Sequence, residues 1–540
     1  MKKYCLFAFI IAFFTIFTIF AIEKTDVMHL AQQEIETSFA TEADGRITLN
    51  WKPLPYPCFY KVETYSKTTG LIEGEPEYHY ITGSYQFGTS YEVPTTAIPM
   101  YYRVTAYGIF GELHSPTAPI ENPVYAAQAP TPVTIYHYDE DHPASLMPFL
   151  VWHTVPNAVC YEIELLSEPP ATEGGTALAG KEHLASTRQV FTNGYQADLR
   201  PYQARQKIYY RVRAMDIQHQ AIGEWSHSEP IVMDASLPCP DHPLLNTFDQ
   251  MPDFHQPIYP VYSWIPLHNI MHYEVELLIQ PPSEPNGTQP DPNRVWQRTV
   301  NSAATCYDEY ARSYAGEYYW RVRAVDAQGN TIGTWSDTMK FTVESHARRM
   351  KAAALGDSIT HGGGSVSYPP SNLEYSYTTY LDFPCLNLGR SGDTAHTTMQ
   401  RFDRDVLPFQ PFNLLILTGS NDIRNETVTA DDIIKDLDAI RQKCLDYGIR
   451  PVFLTLMPLN PAHIKLAFHT DTDPLWPAKL RKVNDWIKQQ DYYIDLEPYF
   501  YDATHTVMDP SLCSDGLHPD IRGKMLMGEI INQHQDMLEK

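Results

Sequence analysis

Hydrophobic and polar residues alternate with period two in paired stretches that recur along the first two thirds of the chain. "FYKVETY" from Phe59, "YEIELL" from Tyr161 and "YEVELL" from Tyr273 form one set. "YYRVTA", "YYRVRA" and "YWRVRA", around Arg103, Arg211 and Arg321, form the other. Such alternation predicts strands with one face toward a core and one toward water. Trp51 and Tyr60, Trp152 and Tyr161, and Trp264 and Tyr273 are each nine residues apart, and the arginines recur at intervals of 108 and 110. Two copies add Trp225 and Trp335, each fourteen residues beyond the arginine. A repeat of that length is one small β-sandwich. Proline-rich stretches such as "QPPSEPNGTQPDPN" separate the strands, because proline cannot continue a ladder. The pattern therefore predicts three all-β sandwiches, over residues 23–126, 127–235 and 236–345. Their tryptophans stand at core positions rather than where a sugar platform would be, so the sandwiches read as spacers in preference to modules that bind carbohydrate or a surface.

From residue 346 the period changes. Short apolar runs ("KAAALGDS", "CLNLGRSGDT", "FNLLILTGSND", "RPVFLTLMP", "YYIDL") alternate with helical patterns ("AHTTMQRFDRDVL", "ADDIIKDLDAIRQKCLDYG", "LRKVNDWIKQQ", "DIRGKMLMGEIINQHQDMLEK"). That order predicts an α/β domain over 346–540, with a parallel sheet between helices and its functional loops at the carboxyl ends of the strands. Pro519 is expected to open the last helix.

Composition adds constraints. The first residues place two lysines before a long apolar run ending near Ala21, the layout of an export signal over 1–22, or of an uncleaved anchor. The protein is expected to be secreted, periplasmic or on the cell surface. A net charge of −25 argues against nucleic acid as a partner. Beyond Cys5, seven cysteines are scattered without a C-x-x-C pair, so they suggest buried apolar residues rather than a zinc site. "HYDEDH", from His137 to His142, reads as a solvated acidic loop without ligand spacing.

The unusual residues of the last domain fall at its strand–loop junctions. Ser358 in "LGDSITHGGG" closes the first strand, where its hydroxyl can be exposed as a nucleophile. His518 lies three residues after Asp515 in "SDGLHP", so one short loop can carry a base and the carboxylate that orients it. Asn421 in "TGSND" offers an uncharged NH₂ donor, and Gly392 in "SGDT" a backbone N–H without a side chain in the way. With the N–H of Ser358 these are three donors for a developing oxyanion. No G-x-S-x-G elbow is present, and the glycines after His361 lack the Lys-Ser/Thr of a P-loop. His361 is a candidate substrate contact. Tyr375, Tyr377 and Tyr380 read as core, and Asp357 as a residue that holds the turn.

Two resemblances follow. The Trp strand with the Tyr-x-Arg-Val-x-Ala strand resembles the fibronectin type III sandwich, over roughly residues 37 to 343. Gly-Asp-Ser at 356–358, Gly392, Gly-x-Asn-Asp at 419–422 and Asp-x-x-His at 515–518 resemble, in order, the four blocks of the SGNH (GDSL-type) hydrolases. That family implies a flavodoxin-like fold, a Ser358–His518–Asp515 triad, an oxyanion hole of Ser358, Gly392 and Asn421, and no metal or cofactor. "GDSIT" in place of Gly-Asp-Ser-Leu leaves the chemistry untouched. Its substrates include acetylated glycans, lipids and thioesters. Export and the appended sandwiches favour O-acetyl removal from extracellular carbohydrate, with lipid acyl hydrolysis as the alternative. A surface adhesion protein carrying a relic hydrolase domain is the reading from another class.

Overall fold

The computed structural model describes residues 35–538 except 42–46, 56–58, 68–77, 94–99, 109–110, 114–117, 123–130, 247–256, 303, 344–348 and 365–368. The expected export signal and Cys58 lie outside the described residues. Among the described residues no helix is long and apolar enough to cross a membrane. The chain divides into two compact units, the first ending at Ala126 and the second beginning at Ala127.

The first unit is β throughout. Strands Thr37–Thr41, Ile47–Trp51 and Ser90–Val93 form one antiparallel sheet. Phe59–Lys67, Tyr78–Gln86 and Tyr101–Gly108, with two short partners, form a second. The second unit contains two more such pairs of sheets, around Cys160–Leu166 with Lys207–Met215 and around Tyr273–Leu278 with Gly316–Val325. Strand order in the larger sheet is the same in all three. The recurring Trp and Tyr explain why. Each pair brings together the two sheets of its unit, with ring centroids 5.3, 5.2 and 5.2 Å apart. Each tyrosine hydroxyl then accepts the backbone N–H of the residue six positions earlier: Leu54, Val155 and Leu267.

The wet face expected of the arginine strands is not wet in the second and third pairs. Arg211 and Arg321 are 2% and 1% exposed. They pair with Glu164 and Glu276, while Arg213 and Arg323 pair with Glu162 and Glu274. Trp225 covers the guanidinium groups of Arg211 and Arg213, 4.6 and 4.4 Å from its ring centroid, and Trp335 covers those of Arg321 and Arg323 at 4.8 and 4.5 Å. Carbonyls of the proline-rich segment, those of Pro285 and Gln289 among them, accept the remaining Arg321 donors. Buried charge is tolerated there because each arginine is paired with a glutamate and covered by an aromatic face.

The C-terminal domain is the expected α/β fold. Its sheet consists of β1 (Ala352–Gly356), β2 (Cys385–Asn387), β3 (Asn413–Leu417), β4 (Arg450–Leu454) and β5 (Tyr493–Ile494). All pairs are parallel, in the order β2-β1-β3-β4-β5. Ala352 to Leu355 are fully buried, which fits a strand covered on both faces. Helices Ala395–Gln400, Ala430–Asp446 and Trp476–Ile487 pack on one another, and Ile521–Gln533 packs on the turns carrying Tyr375 and Tyr380. Tyr375, Tyr377 and Tyr380 are core, as expected. The helix expected over "AHTTMQRFDRDVL" is interrupted at Arg401, and Pro519 stands before the N-cap Asp520 rather than opening the last helix. Cys160, Cys306, Cys385, Cys444 and Cys513 are buried; Cys239 is exposed.

The third pair of sheets is not a detached spacer. Ile258 and Tyr259 belong to the core of the α/β domain. The Ile258 N–H donates to the Asn387 carbonyl at the end of β2 at 3.1 Å, and the Tyr259 hydroxyl donates to Asp405 at 2.6 Å. His361 is 1% exposed and faces this seam instead of substrate. Its Nδ1 accepts the Ser391 N–H at 3.1 Å, so Nε2 carries the proton and donates to the Tyr259 carbonyl at 2.7 Å. Burial pushes its pKa down to about 4, which keeps the ring neutral in that role. Residues 346–540 expressed alone should therefore melt lower than residues 127–540. Exposing Ile258's and Tyr259's contact surface costs on the order of 4 kcal/mol, or roughly 10 °C for a domain of this size. Equal melting of the α/β domain in both proteins would show that the seam contributes nothing.

Candidate active site

β1 delivers Ser358 to the carboxyl end of the sheet. Gly356 permits this, since a Cβ there would stand 2.1 Å from the Leu417 carbonyl of β3. Asp357 then caps the short helix Ser358–His361 by accepting the Ile359 N–H at 3.0 Å. It holds the turn, as expected from the sequence. Burial raises its carboxyl to about 6, and the buried Lys524, whose ammonium donates to the Ile359 carbonyl at 2.6 Å, is pulled down by burial to about 8.

The Asp515–His518 loop is closed by its own carboxylate. Asp515 Oδ1 accepts the N–H groups of Leu517 at 2.8 Å and His518 at 2.7 Å, around Gly516 at φ +80°. The three-residue spacing places Oδ2 2.8 Å from His518 Nδ1. Burial acts to raise the Asp515 carboxyl, but the imidazole and the N–H donors outweigh it and hold the group below its ordinary range. An ionised carboxylate only accepts, so Nδ1–H is the donor and Nε2 is left to accept. Ser358 Oγ lies 2.8 Å from Nε2. The three residues picked from sequence thus form one hydrogen-bonded relay.

Gly392 and Asn421 meet the same cleft. Gly392 sits at φ +85°, a conformation that favours glycine. Asn421 Nδ2 donates to the Asp393 carbonyl at 2.9 Å, which fixes the amide and leaves its second hydrogen unspent. Among the described residues, no hydrogen bond engages the backbone N–H of Ser358 or of Gly392. The frame under these donors is a residue the sequence did not flag. Arg401, 4% exposed, binds the carbonyls of Gly356 and Leu388 at 2.8 and 2.7 Å and the carboxylate of Asp393. One guanidinium thereby ties the ends of β1 and β2 to the Gly392 turn.

The cleft over Ser358 has a volume of about 310 Å³. Gly362 to Gly364 line it, so the glycines after His361 do belong to the site although His361 does not. Arg424 and Phe468 form part of the wall on the His518 side, where the Phe468 ring meets the imidazole edge-on at 5.9 Å. Thr305 and Tyr307, from the third pair of sheets, also line it. Sequence reasoning had no means to place them there, because nothing local to a β-strand records what its edge will face. The "HYDEDH" loop lies elsewhere, with His137 beside Glu229 and the Asp139 carboxylate accepting the His142 N–H. Among the described residues no group of His, Cys, Asp and Glu is arranged to hold a metal.

Residues 354–526 match the model of the GDSL-like lipase/acylhydrolase family. No curated protein matches the chain. Among solved structures, a lipase/acylhydrolase from Enterococcus faecalis aligns at 21% identity over 35% of this chain and 95% of that one, with a TM-score of 0.28. A GDSL-like lipase from Bacteroides thetaiotaomicron aligns at 18% identity over 34% and 87%, TM-score 0.28. An acetylxylan esterase from Geobacillus stearothermophilus, solved as a catalytic mutant, aligns at 17% identity over 34% and 94%, TM-score 0.27. Residues 354–526 form a GDSL-type lipase/acylhydrolase domain, and through it the protein is an ester hydrolase.

Proposed function

We propose that the protein is an exported O-acetyl esterase acting on extracellular carbohydrate through an acyl-Ser358 intermediate. His518 takes the Ser358 proton as Oγ attacks the acyl carbon, and returns it to the departing sugar hydroxyl; Asp515 steadies the imidazolium between the two steps. The N–H groups of Ser358 and Gly392 and the Asn421 amide receive the oxyanion. Water then attacks the acyl-enzyme by the same route in reverse. The three two-sheet modules ahead of the domain are fibronectin type III-like in this reading, with boundaries at 126, 235 and 345. Their export rests on the lysine-plus-apolar start of the chain.

The observation that carries the substrate class is the cleft wall. Among the described residues about half of it is glycine, serine, threonine and asparagine, with Tyr307, 40% exposed, as a ring on the β-module side and only Pro369, Phe468 and Leu517 as further apolar side chains. A wall of this kind suits a small acyl group and a hydroxylated alcohol, and gives a long alkyl chain little apolar surface to bury. A chain-length series of 4-nitrophenyl esters tests it, beside acetate release from acetylated xylan and pectin. Turnover should fall steeply beyond butyrate, and acetate should appear from polymer. Rates that climb toward octanoate, with no acetate from either polymer, would replace this reading with lipid acyl hydrolysis.

A further inference from the structure

Arg424 is unusual among the arginines of the α/β domain. Arg349, Arg390, Arg401, Arg441 and Arg450, the others that are at least partly buried there, all carry ion pairs or hydrogen bonds. Arg424 is half-buried, lines the cleft, and has no hydrogen bond or ion pair from its guanidinium among the described residues. Its guanidinium lies against the Phe468 ring, 5.7 Å from Cζ to centroid. Three acids near it are committed elsewhere. Asp422 accepts the Ala395 N–H, Asp515 holds His518, and Asp473, whose N–H binds the Arg424 carbonyl, is paired with Lys479. Burial lowers its pKa, with Asp515 acting the other way. In a chain of net charge −25, this planar cation on the wall of the active-site cleft makes no ion pair among the described residues.

Its position indicates what it would meet. Phe468 contacts both His518 and Arg424, so the guanidinium lies on the imidazole side of the cleft. His518 is the group that returns a proton to the leaving oxygen, which puts the alcohol part of the ester, not the acyl part, on that side. A guanidinium presents a flat fork of donors matched to a carboxylate, and backing by an aromatic ring keeps it oriented. We propose that Arg424 binds a carboxylate on the alcohol part of the substrate, so that the preferred esters are O-acetyl groups on uronic-acid glycans. This rests on the proposed assignment of the enzyme as a glycan O-acetyl esterase, and it adds the charge of the sugar.

The test compares acetylated oligogalacturonates with free carboxylates against the same oligomers methyl-esterified, using the full chain and its Arg424→Gln and Arg424→Lys variants. A charge-assisted pair predicts a preference for the free acid in kcat/KM of about tenfold or more, carried by KM. Arg424→Gln should erase the ratio and Arg424→Lys should keep part of it; added salt should shrink it in the wild type. Equal rates on both oligomers, or a preference that survives Arg424→Gln, would overturn the inference and leave glycan deacetylation standing. Should neither oligomer lose acetate, inhibition of 4-nitrophenyl acetate hydrolysis by unacetylated oligogalacturonate decides. Competitive inhibition lost in Arg424→Gln upholds the carboxylate site while removing deacetylation of these glycans; absence of inhibition overturns the site.

Discussion

Ser358→Ala lowers kcat by about four decades or more, while the protein stays folded. The expectation follows from the relay in the cleft. Removing Oγ removes the only group that the 2.8 Å contact with His518 Nε2 can activate. The bound ester is then left with the oxyanion donors and solvent water. Nothing else should change, because Ser358 is at the first position of a helix whose cap is supplied by Asp357. Single-turnover measurements with 4-nitrophenyl acetate should show the loss, and a serine-directed phosphonate should label the wild type and spare the variant. Turnover within tenfold of wild type would remove Ser358 from the chemistry. His518→Ala should cost a similar factor, since a serine without its base is as inert as no serine.

Asn421→Ala lowers kcat by about 10²–10³ with KM barely moved, because the amide acts only when charge develops on the carbonyl oxygen. The structure sharpens the alternative. Asn421 Nδ2 also donates to the Asp393 carbonyl at 2.9 Å, so its loss frees the turn that carries Gly392. A purely structural role would appear as a lower melting temperature with near-normal turnover. Asn421→Asp should be no better than alanine, since a carboxylate cannot donate and would repel both the Asp393 carbonyl and the oxyanion. A variant that melts several degrees lower yet turns over normally would leave the hole to the backbone donors alone.

The strands of the α/β domain and the relay residues were legible because each has a local signature. "AAALGDS" shows an apolar run and the turn that ends it, and "DGLH" places two partners on one loop whose closure needs only Asp515's own oxygens. The short helices Ser358–His361 and Ser420–Ile423 left no periodic trace, being a single turn each. The helix Pro461–Phe468 was hidden for another reason. It opens on Pro461 after the N-cap Asn460, a start signal, but its apolar residues are spread around its circumference, so no stripe marks it. The arginine strands misled in the opposite direction. Alternating charge predicted water on that face, whereas Trp225 and Trp335 arrive from fourteen residues away to cover it. Tyr307 was beyond reach because the cleft it lines is built by residues distant in sequence, and Arg401 because two of its acceptors are backbone carbonyls, of Gly356 and Leu388, which leave no mark in the sequence.

The seam between the third β module and the α/β domain also bears on how the chain is made. Synthesis runs from the amino end, so Ile258 and Tyr259 exist in a finished module before β2 has left the ribosome. β2 is the outermost strand of its sheet, and an uncovered outer strand is a template for pairing with another chain. When Asn387 emerges, the backbone donor of Ile258 is already in place to receive its carbonyl, and His361 finds the Tyr259 carbonyl beside it. The order of synthesis thus presents the later domain with a partner surface tethered to the same chain.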